Sequence, residues 1–302
     1  MTTRKEKTEL ITQGGSWGPL ECSTQIDNLG KECLNQEKGL YKFKESVNIC
    51  PLAMIDDVAG IERCGADSVE LNTIINSKIK SKWLEFGEDK CVFLHIGKRN
   101  HSCSVLKAQS TEMKNKTEAK YLGNIFSEDG SCNKNIEERY NKGIGIICSI
   151  NSLLKNISLR KHYFKIGLLF RETNVINGIM SCIEVMHNLN NEQIKKIVNI
   201  DEMYLRKLLG APVTTAKEAI YIETGKIPLN FILKMRRLLY WWNIINLEED
   251  SMLYKVYIAQ KNKPVRGDWV KLLDDNKKEF NLKSMSDNDL NLKKKDTQNL
   301  IT

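Results

Sequence analysis

The sequence predicts an α+β chain, in which a mixed N-terminal region precedes a mostly helical one. Short apolar segments separated by turn residues fill the first 130 residues, and beyond that point apolar residues recur at helical spacing. The chain has 302 residues, 41% of them apolar and 28% charged, which is enough apolar material for a packed core. Length and composition therefore predict two domains or one large one, and they exclude collagen-like and wholly disordered chains.

A strand–turn–strand unit is predicted near residue 55. Ile49–Met54 is short and mostly apolar, Asp56 and Asp57 follow it, and Val58–Ile61 is apolar again. Pro51 in the first of these strands predicts an edge position or a bulge, because proline cannot donate a hydrogen bond to a neighbouring strand. The two acidic residues are thus expected at the tip of a hairpin.

A helix is predicted directly after this hairpin. Asp67 is expected to cap it, with Glu70 as the reciprocal partner of a capping box. Gly87 is expected to end it. Apolar residues recur at roughly helical spacing between the two signals, at Val69, Leu71, Ile74, Ile75, Ile79 and Trp83.

The rest of the first 130 residues predicts two strands and a loop. Cys91–Ile96 and Lys120–Phe126 have the composition of strands, and residues 98–117 are polar and expected to form a loop. Glu128, Asp129 and Gly130 are a turn signal.

Helices are predicted for most of the remaining chain. An apolar stripe marks the first of them, at Ile136, Tyr140, Ile144, Ile147, Ile150 and Leu154. A long helix is expected at about Leu159–Met186, and another from near Asn190 to Gly210. A short helix over Thr215–Thr224 and a further one starting at Pro228 complete the set. The polar tail after about Asn281 is expected to fray.

The positive charge is concentrated in the middle of the chain, whose net charge is +8. Residues 1–130 hold 18 basic and 19 acidic residues, residues 131–245 hold 17 and 9, and residues 246–302 hold 11 and 10. A basic helical segment predicts a polyanionic partner such as nucleic acid. The alternative is a solvated basic helix face without a partner.

An intracellular protein, cytoplasmic or nuclear, is expected. The basic start has no apolar core of a secretory signal, and no apolar run approaches the length of a membrane span. The nine cysteines are then expected to be reduced thiols rather than a disulfide framework.

Asp56 and Asp57 are the residues with the clearest chemical potential. Paired carboxylates at a hairpin tip project out of the sheet, and carboxylate oxygens are ligands that Mg²⁺ prefers. In a two-metal site, such ions stabilise the attacking and leaving oxygens of a phosphoryl displacement. The alternative is an ordinary acidic turn.

Four segments in order resemble the reverse transcriptases of non-LTR (LINE-type) retrotransposons. They are QGGSWGP (13–19), LAMIDD (52–57), GEDKCVFLHIGK (87–98) and KYLGNIFSEDG (120–130). Three later segments also resemble the helices that follow the palm in these elements: LRKLLGAPVTT, AIYIETGKIP and MRRLLYWWNII. The resemblance runs from about Thr12 to Asp275.

The resemblance implies a partial palm at residues 1–130, a helical thumb at 131–212 and a helical extension at 213–302. It implies an RNA-directed DNA polymerase that copies an RNA template from a DNA primer with deoxynucleoside triphosphates and Mg²⁺. In this family's pattern, Asp56 holds the catalytic metals and Asp57 supports it, and Lys90 contacts or protonates the departing pyrophosphate. The remaining roles are template and nucleotide binding, implied for Gln13, Gly14 and Gly15, and primer positioning, implied for Tyr121, Leu122 and Gly123.

One part of the family pattern is missing. Polymerases of this family use three metal-binding carboxylates, and the first lies upstream of the Gln-Gly motif, which here begins at Gln13. Glu6 and Glu9 are acidic, but no strand pattern surrounds them. The expectation is therefore a truncated enzyme that lacks the fingers and the first catalytic carboxylate. It is expected to have little or no activity alone, with an exposed palm edge prone to aggregation.

Other assignments stay open beside this one. A zinc site at Cys91, His95, His101 and Cys103 has unusual spacing, and the alternative is a strand followed by a loop. Trp241 and Trp242, with Arg236 and Arg237, could stack on bases, although core tryptophans with solvated arginines are the ordinary interpretation. For the whole chain, the alternatives are a non-catalytic nucleic-acid-binding remnant and an unrelated helical interaction protein.

Overall fold

The computed structural model describes residues 29–30, 33, 40–54, 57–63, 65–81, 85–87, 90–97, 105–156, 162–186, 189–265 and 267–282. The chain divides into two compact units, Met1–Gly130 and Ser131–Thr302. The fold is α+β and mostly helical, with small two-stranded sheets in the first unit. Among these described residues, no helix is both long and apolar enough to cross a bilayer.

Ten short strands and one helix with described bounds lie in the N-terminal unit, and Leu29, Gly30 and Cys33 are also helical. The strands are β1 (Tyr41–Phe43), β2 (Val47–Ile49), β3 (Leu52–Met54), β4 (Asp57–Ala59), β5 (Val92–Leu94), β6 (Lys107–Ala108), β7 (Thr111–Glu112), β8 (Lys114–Lys116), β9 (Glu118–Tyr121) and β10 (Asn124–Ser127). Four antiparallel pairs form between consecutive strands, β1–β2, β3–β4, β6–β7 and β9–β10, whereas β5 and β8 pair in parallel. The predicted strand–turn–strand unit near residue 55 is confirmed as β3–β4, with Met54 opposite Asp57. Its predicted first strand, Ile49–Met54, is wrong, because the strand is interrupted before Leu52, at Pro51, and Ile49 belongs to β2.

Two further predictions for this unit are wrong. The stretch 98–117 is not a plain loop, because β6, β7 and β8 lie within it. Two asparagines on the preceding helix explain this: the side-chain amides of Asn72 and Asn76 both donate to the carbonyl oxygen of Lys107, at 2.8 and 2.7 Å. Lys120–Phe126 is likewise not one strand but the hairpin β9–β10, which turns at Leu122 and Gly123.

Helix α1 spans Gly65–Ser81 and packs behind the hairpins. It begins two residues before Asp67, so this residue lies in the first turn and is not the cap; there its charge complements the helix dipole. Buried Leu71 and Ile74 of α1 form a small core with Leu29 and Cys33. The predicted stop at Gly87 is too late, since α1 ends at Ser81, and Trp83 lies outside the described residues.

The C-terminal unit is helical throughout its described part. Its α-helices are α2 (Asn133–Asn156), α3 (Tyr163–Phe170), α4 (Asn177–Met180), α5 (Asn191–Leu209), α6 (Lys217–Thr224), α7 (Leu229–Ile245), α8 (Met252–Asn262) and α9 (Trp269–Glu279). A π-helical turn, Arg171–Ile176, joins α3 to α4, and a 3₁₀ turn spans Ile183–Val185.

Local capping signals explain where several of these helices begin and end. Asn190 caps α5 through a capping box with Gln193, and Gly210 ends it in the left-handed conformation. Gly225 ends α6 in the same way, and Pro228 precedes α7. The predictions for these three helices are confirmed. The prediction of a single helix at Leu159–Met186 is wrong, because the helical segment ends at Met180.

Two apolar clusters hold this unit together. The larger cluster includes buried residues of the predicted α2 stripe, together with Tyr204 and Leu205 of α5. The smaller cluster joins α7, α8 and α9 through Trp241, Tyr257 and Trp269. The residues after 282, including the predicted frayed tail, lie outside the described part of the chain.

Candidate functional site

Asp57 lies at the end of the β3–β4 hairpin and is exposed to solvent. As the first residue of β4 it is paired with Met54, so the two intervening residues, Ile55 and Asp56, connect the strands. Those two residues are outside the described part of the chain. All three residues of β3 are exposed. The hairpin therefore presents one described carboxylate at its tip.

Tyr121 connects this hairpin to the second one. Its phenolic O–H donates to the carbonyl oxygen of Leu52 in β3, at an oxygen–oxygen distance of 3.5 Å. Burial raises the pKa of the Tyr121 phenol, and the negative charge of Asp57 raises it further. The structure thus brings together two of the residues that the sequence assigned to separate roles, Asp57 and Tyr121.

The turn between β9 and β10 has an unusual backbone. Leu122 and Gly123 both have positive φ angles, 47° and 76°, as a type I′ hairpin turn requires. Leucine rarely adopts this conformation, because its Cβ crowds the backbone there. Its side chain is also 45% exposed. Leu122 therefore presents an apolar group to solvent at the end of the hairpin that carries Tyr121.

Close packing against α1 fixes the Asp57 hairpin. Val58 of β4 packs against the core that contains Leu71. Gly60 approaches α1 so closely that a Cβ built on it would lie 2.6 Å from Cδ2 of Leu71. Only glycine fits at this position without displacing the leucine side chain.

Lys90 is the other predicted catalytic residue that the structure describes, and no contact joins it to Asp57. Lys90 lies in a turn where its backbone N–H donates to the Gly87 carbonyl at 3.0 Å, and no hydrogen bond or ion pair joins it to Asp57 or Tyr121 within the described residues. The predicted site residues Gln13, Gly14, Gly15 and Asp56 lie outside the described part of the chain.

The zinc alternative is half outside the described chain. Cys91 and His95 flank β5 and are half-buried, whereas His101 and Cys103 fall in an undescribed stretch. Burial raises the pKa of the Cys91 thiol, which disfavours the thiolate that a metal would require. No group of three metal-binding side chains occurs among the residues that the structure describes.

Glu62 is a residue that sequence reasoning did not single out. It follows β4, and its Oε1 atom is buried without a hydrogen-bond partner in the described structure. Burial, followed by the negative charges of Asp67 and Glu70, raises its pKa from 4.5 to about 7. The sequence signal that could have indicated it is the presence of three acidic residues close together around the start of α1: Glu62, Asp67 and Glu70.

The tryptophans and arginines of α7 are structural. Trp241 and Trp242 are buried, and the indole N–H of Trp241 donates to the Tyr257 hydroxyl at 3.0 Å. Arg236 and Arg237 donate to the carbonyls of Met180 and Met186, at 3.0 and 3.3 Å. The base-stacking hypothesis is wrong, because both indoles are buried, and the interpretation of core tryptophans is confirmed. The expectation of solvated arginines is wrong for Arg237, which is buried, whereas Arg236 is half-buried.

Comparison of the chain with protein-family models, with curated proteins and with solved structures gives no match in any of the three.

Proposed function

We propose that this chain forms part of an RNA-directed DNA polymerase of the non-LTR retrotransposon type. The observation that carries the proposal joins the hairpins of Asp57 and Tyr121: the Tyr121 hydroxyl donates to Leu52 of the Asp57 hairpin, and the charge of Asp57 acts on the phenol. The two residues lie on separate hairpins, and the resemblance assigns them to metal binding and to primer positioning.

The exposed carboxylate of Asp57 is suited to a divalent cation. Mg²⁺ is usually bound through one or two carboxylates together with water and substrate phosphates, and a solvent-exposed carboxylate leaves room for both. When bound, Mg²⁺ would neutralise charge that develops on the phosphates during attack by the primer 3′-hydroxyl. Asp56 and Asp57 would hold the ion, and the β9–β10 hairpin would position the primer end. The family pattern also requires a third carboxylate.

Metal binding tests the proposal without requiring activity. Mn²⁺ binding to the 302-residue chain is measured by electron paramagnetic resonance, with a poly(rA)–oligo(dT) duplex and dTTP present. We expect Asp56→Asn and Asp57→Asn each to weaken Mn²⁺ binding about tenfold or more, since even the loss of a group that only orients a metal ligand reaches that size. Glu45→Gln is the matched control, because Glu45 is an exposed acid in the turn of another hairpin. Equal Mn²⁺ binding by all four proteins would refute the proposal.

A second candidate function is nucleic-acid binding without catalysis. Its observation is the charge of residues 131–245, which hold 17 basic and 9 acidic residues. Binding through phosphates releases counterions, so the affinity falls with salt at a slope of about −0.9 per contacted phosphate on duplex. RNA binding that shows no salt dependence would exclude this function.

A further inference from the structure

The outward face of α6 reverses the usual pattern of a surface helix. The buried residues of this helix are Ile220, Tyr221 and Thr224. At about 100° per residue, Ile222 and Ala219 each lie about 150° around the helix axis from the middle of that buried face. Polar side chains are expected there. Ile222 is instead apolar and 80% exposed, so packing within the unit does not explain it.

Hydrogen bonds on both sides of Ile222 fix the orientation of α6. The hydroxyl of Tyr221 donates to buried Asp201 at 3.1 Å, and Arg171 donates to the carbonyl oxygen of Ile227 at 3.0 Å, just beyond the end of the helix. The helix is thus held with Ile222 turned outward. Helix propensity does not explain the residue either, because a β-branched side chain loses freedom in a helix.

Two carboxylates border the apolar strip formed by Ala219 and Ile222. Glu218 lies about 40° from Ile222 on one side, and Glu223 lies about 40° from Ala219 on the other. Among the described residues, neither carboxylate has a hydrogen bond or an ion pair. The nearest lysine in sequence, Lys217, lies about 140° around the axis from Ile222. The outward face therefore has an apolar centre and a negative border.

A second apolar side chain is held in solvent on the turn that leads into α6. Val213 is 89% exposed, the largest fraction among the large apolar side chains that the structure describes. The guanidinium of Arg206 donates to the carbonyl oxygens of Pro212 and Thr215, at 3.1 and 2.6 Å, and so fixes the turn around it. Valine is not a residue that favours turns, so local backbone geometry gives no reason for it.

We propose that the outward face of α6, defined by Glu218, Ala219, Ile222 and Glu223, binds a basic amphipathic helix of a partner protein. Ile222 packs against apolar side chains of that helix, and lysines or arginines beside them pair with the two carboxylates. An apolar centre within a polar rim is the usual arrangement of a protein–protein contact. The negative border disfavours polyanions such as nucleic acid or an anionic bilayer. The inference depends on neither of the functions proposed above.

The probe is a fluorescein-labelled peptide of leucine, alanine and lysine, long enough at about 18 residues to form an amphipathic helix. A second peptide keeps the leucines and has glutamate in place of every lysine. Fluorescence anisotropy measures the binding of both peptides to the full chain. Ile222→Ser removes the apolar centre, and Leu153→Ser is the control, because Leu153 is an exposed apolar residue of α2. Both positions are at the surface, so both variants should melt like the wild type.

The wild type should bind the lysine peptide and not the glutamate peptide. Ile222→Ser should weaken binding of the lysine peptide about tenfold or more, the size expected when an isoleucine side chain is no longer buried. Leu153→Ser should leave that binding unchanged. The same loss in both serine variants, or equal binding of the two peptides, would overturn the proposal.

The carboxylates are tested by a second pair of variants. Glu218→Gln/Glu223→Gln should weaken binding of the lysine peptide several-fold at low salt, and the difference from the wild type should vanish near 1 M salt, where charges are screened within about 3 Å. Glu137→Gln/Glu249→Gln removes two exposed carboxylates elsewhere and should have no effect. A loss of the same size at both salt concentrations would contradict pairing of the carboxylates with a basic partner.

Sedimentation of the wild type without peptide separates a partner helix from a second copy of this chain. The proposal expects Ile222→Ser and the wild type to have the same oligomeric state. A wild-type dimer that Ile222→Ser dissociates would overturn it, because the face would then be a contact between two copies.

Discussion

The hydroxyl of Tyr121 lies 3.5 Å from the carbonyl oxygen of Leu52, a hydrogen bond that joins residues 69 positions apart. It links the hairpin that carries Asp57 to the hairpin that turns at Leu122. The charge of Asp57 acts on the same phenol and raises its pKa beyond the effect of burial. The two hairpins are thus coupled by one hydrogen bond and one electrostatic interaction, and each can be removed separately.

Asp57→Asn should lower the pKa of Tyr121. The substitution removes the negative charge that disfavours the phenolate, while the larger effect of burial remains. The phenol pKa can be followed by nuclear magnetic resonance of ring-labelled tyrosine, with Tyr121→Phe to assign the signal. Glu45→Gln, on the β1–β2 turn, should leave this pKa unchanged. An identical Tyr121 titration in Asp57→Asn and wild type would mean that the two side chains are not close in solution.

The N-terminal unit should lose stability as the pH rises from about 4.5 to about 7. The folded unit raises the pKa of Glu62 from 4.5 to about 7, so in this window the folded chain holds a proton that the unfolded chain has released. Raising the pH then favours the unfolded chain. Hydrogen exchange of α1 peptides, read by mass spectrometry, reports this stability at each pH.

Glu62→Gln should remove this part of the pH dependence, because glutamine does not titrate. Its advantage over the wild type should be absent near pH 4.5 and greatest above pH 7. Glu112→Gln, an exposed substitution on β7, is the control. If the two variants show the same protection of α1 across the whole pH range, Glu62 is an ordinary surface acid.

Asp201→Asn should strongly destabilise the C-terminal unit. Asp201 and Arg171 are 0% and 1% exposed, and the guanidinium donates to both carboxylate oxygens, at 2.7 and 2.8 Å. Removing the Asp201 charge leaves the buried guanidinium with only the half-exposed carboxylate of Glu172, at 2.9 Å, as its ion partner. Breaking a buried pair in this way costs about 3–5 kcal/mol. Urea unfolding followed by the fluorescence of the buried tryptophans measures the loss.

The double variant Arg171→Met/Asp201→Leu should be more stable than Asp201→Asn. Apolar residues of similar size remove both charges together, and such replacements are often neutral. The hydroxyl of Tyr221 also donates to Asp201, at 3.1 Å, so adding Tyr221→Phe should improve the double variant further. A double variant as unstable as Asp201→Asn would indicate that this network is needed for shape and not only for charge balance.

Two helical glycines of the C-terminal unit should respond in opposite directions to alanine. A Cβ on Gly167 would lie 2.2 Å from Cδ1 of Leu208, whereas a Cβ on Gly145 would meet nothing within 4 Å. Gly167→Ala should therefore cost about 1–3 kcal/mol through overpacking. Gly145→Ala should stabilise the unit by about 0.5–1 kcal/mol through helix propensity. Thermal melts of the two variants check both signs, and a stabilising Gly167→Ala would contradict the packing described here.

Helix boundaries were predictable where the signal is local. Asn190, Gly210 and Gly225 act on the backbone beside them, so their residue types alone indicate where α5 begins and where α5 and α6 end. The break after Met180 was not predictable in this way. There the carbonyl oxygens accept from Arg139 and Arg236, and the guanidinium groups arrive from other helices.

The candidate site shows the same division. A two-residue connection between apolar strands predicts the Asp57 hairpin from neighbouring residues. The approach of Tyr121 to Leu52 depends on packing between segments far apart in sequence, which periodicity cannot indicate. The raised pKa of Glu62 depends on burial for the same reason.

The π-helical turn at Arg171–Ile176 adds one residue to this segment compared with a plain α-helix. A π turn bonds each residue to the fifth one along, so it accommodates one residue more than an α turn. Arg171 and Ile176, five positions apart, are both buried here. A protein with a plain α-helix in this place would have one residue fewer between Arg171, which pairs with Asp201, and Ile179. The sequence of such a protein would align with this one through a single-residue gap between Arg171 and Ile176.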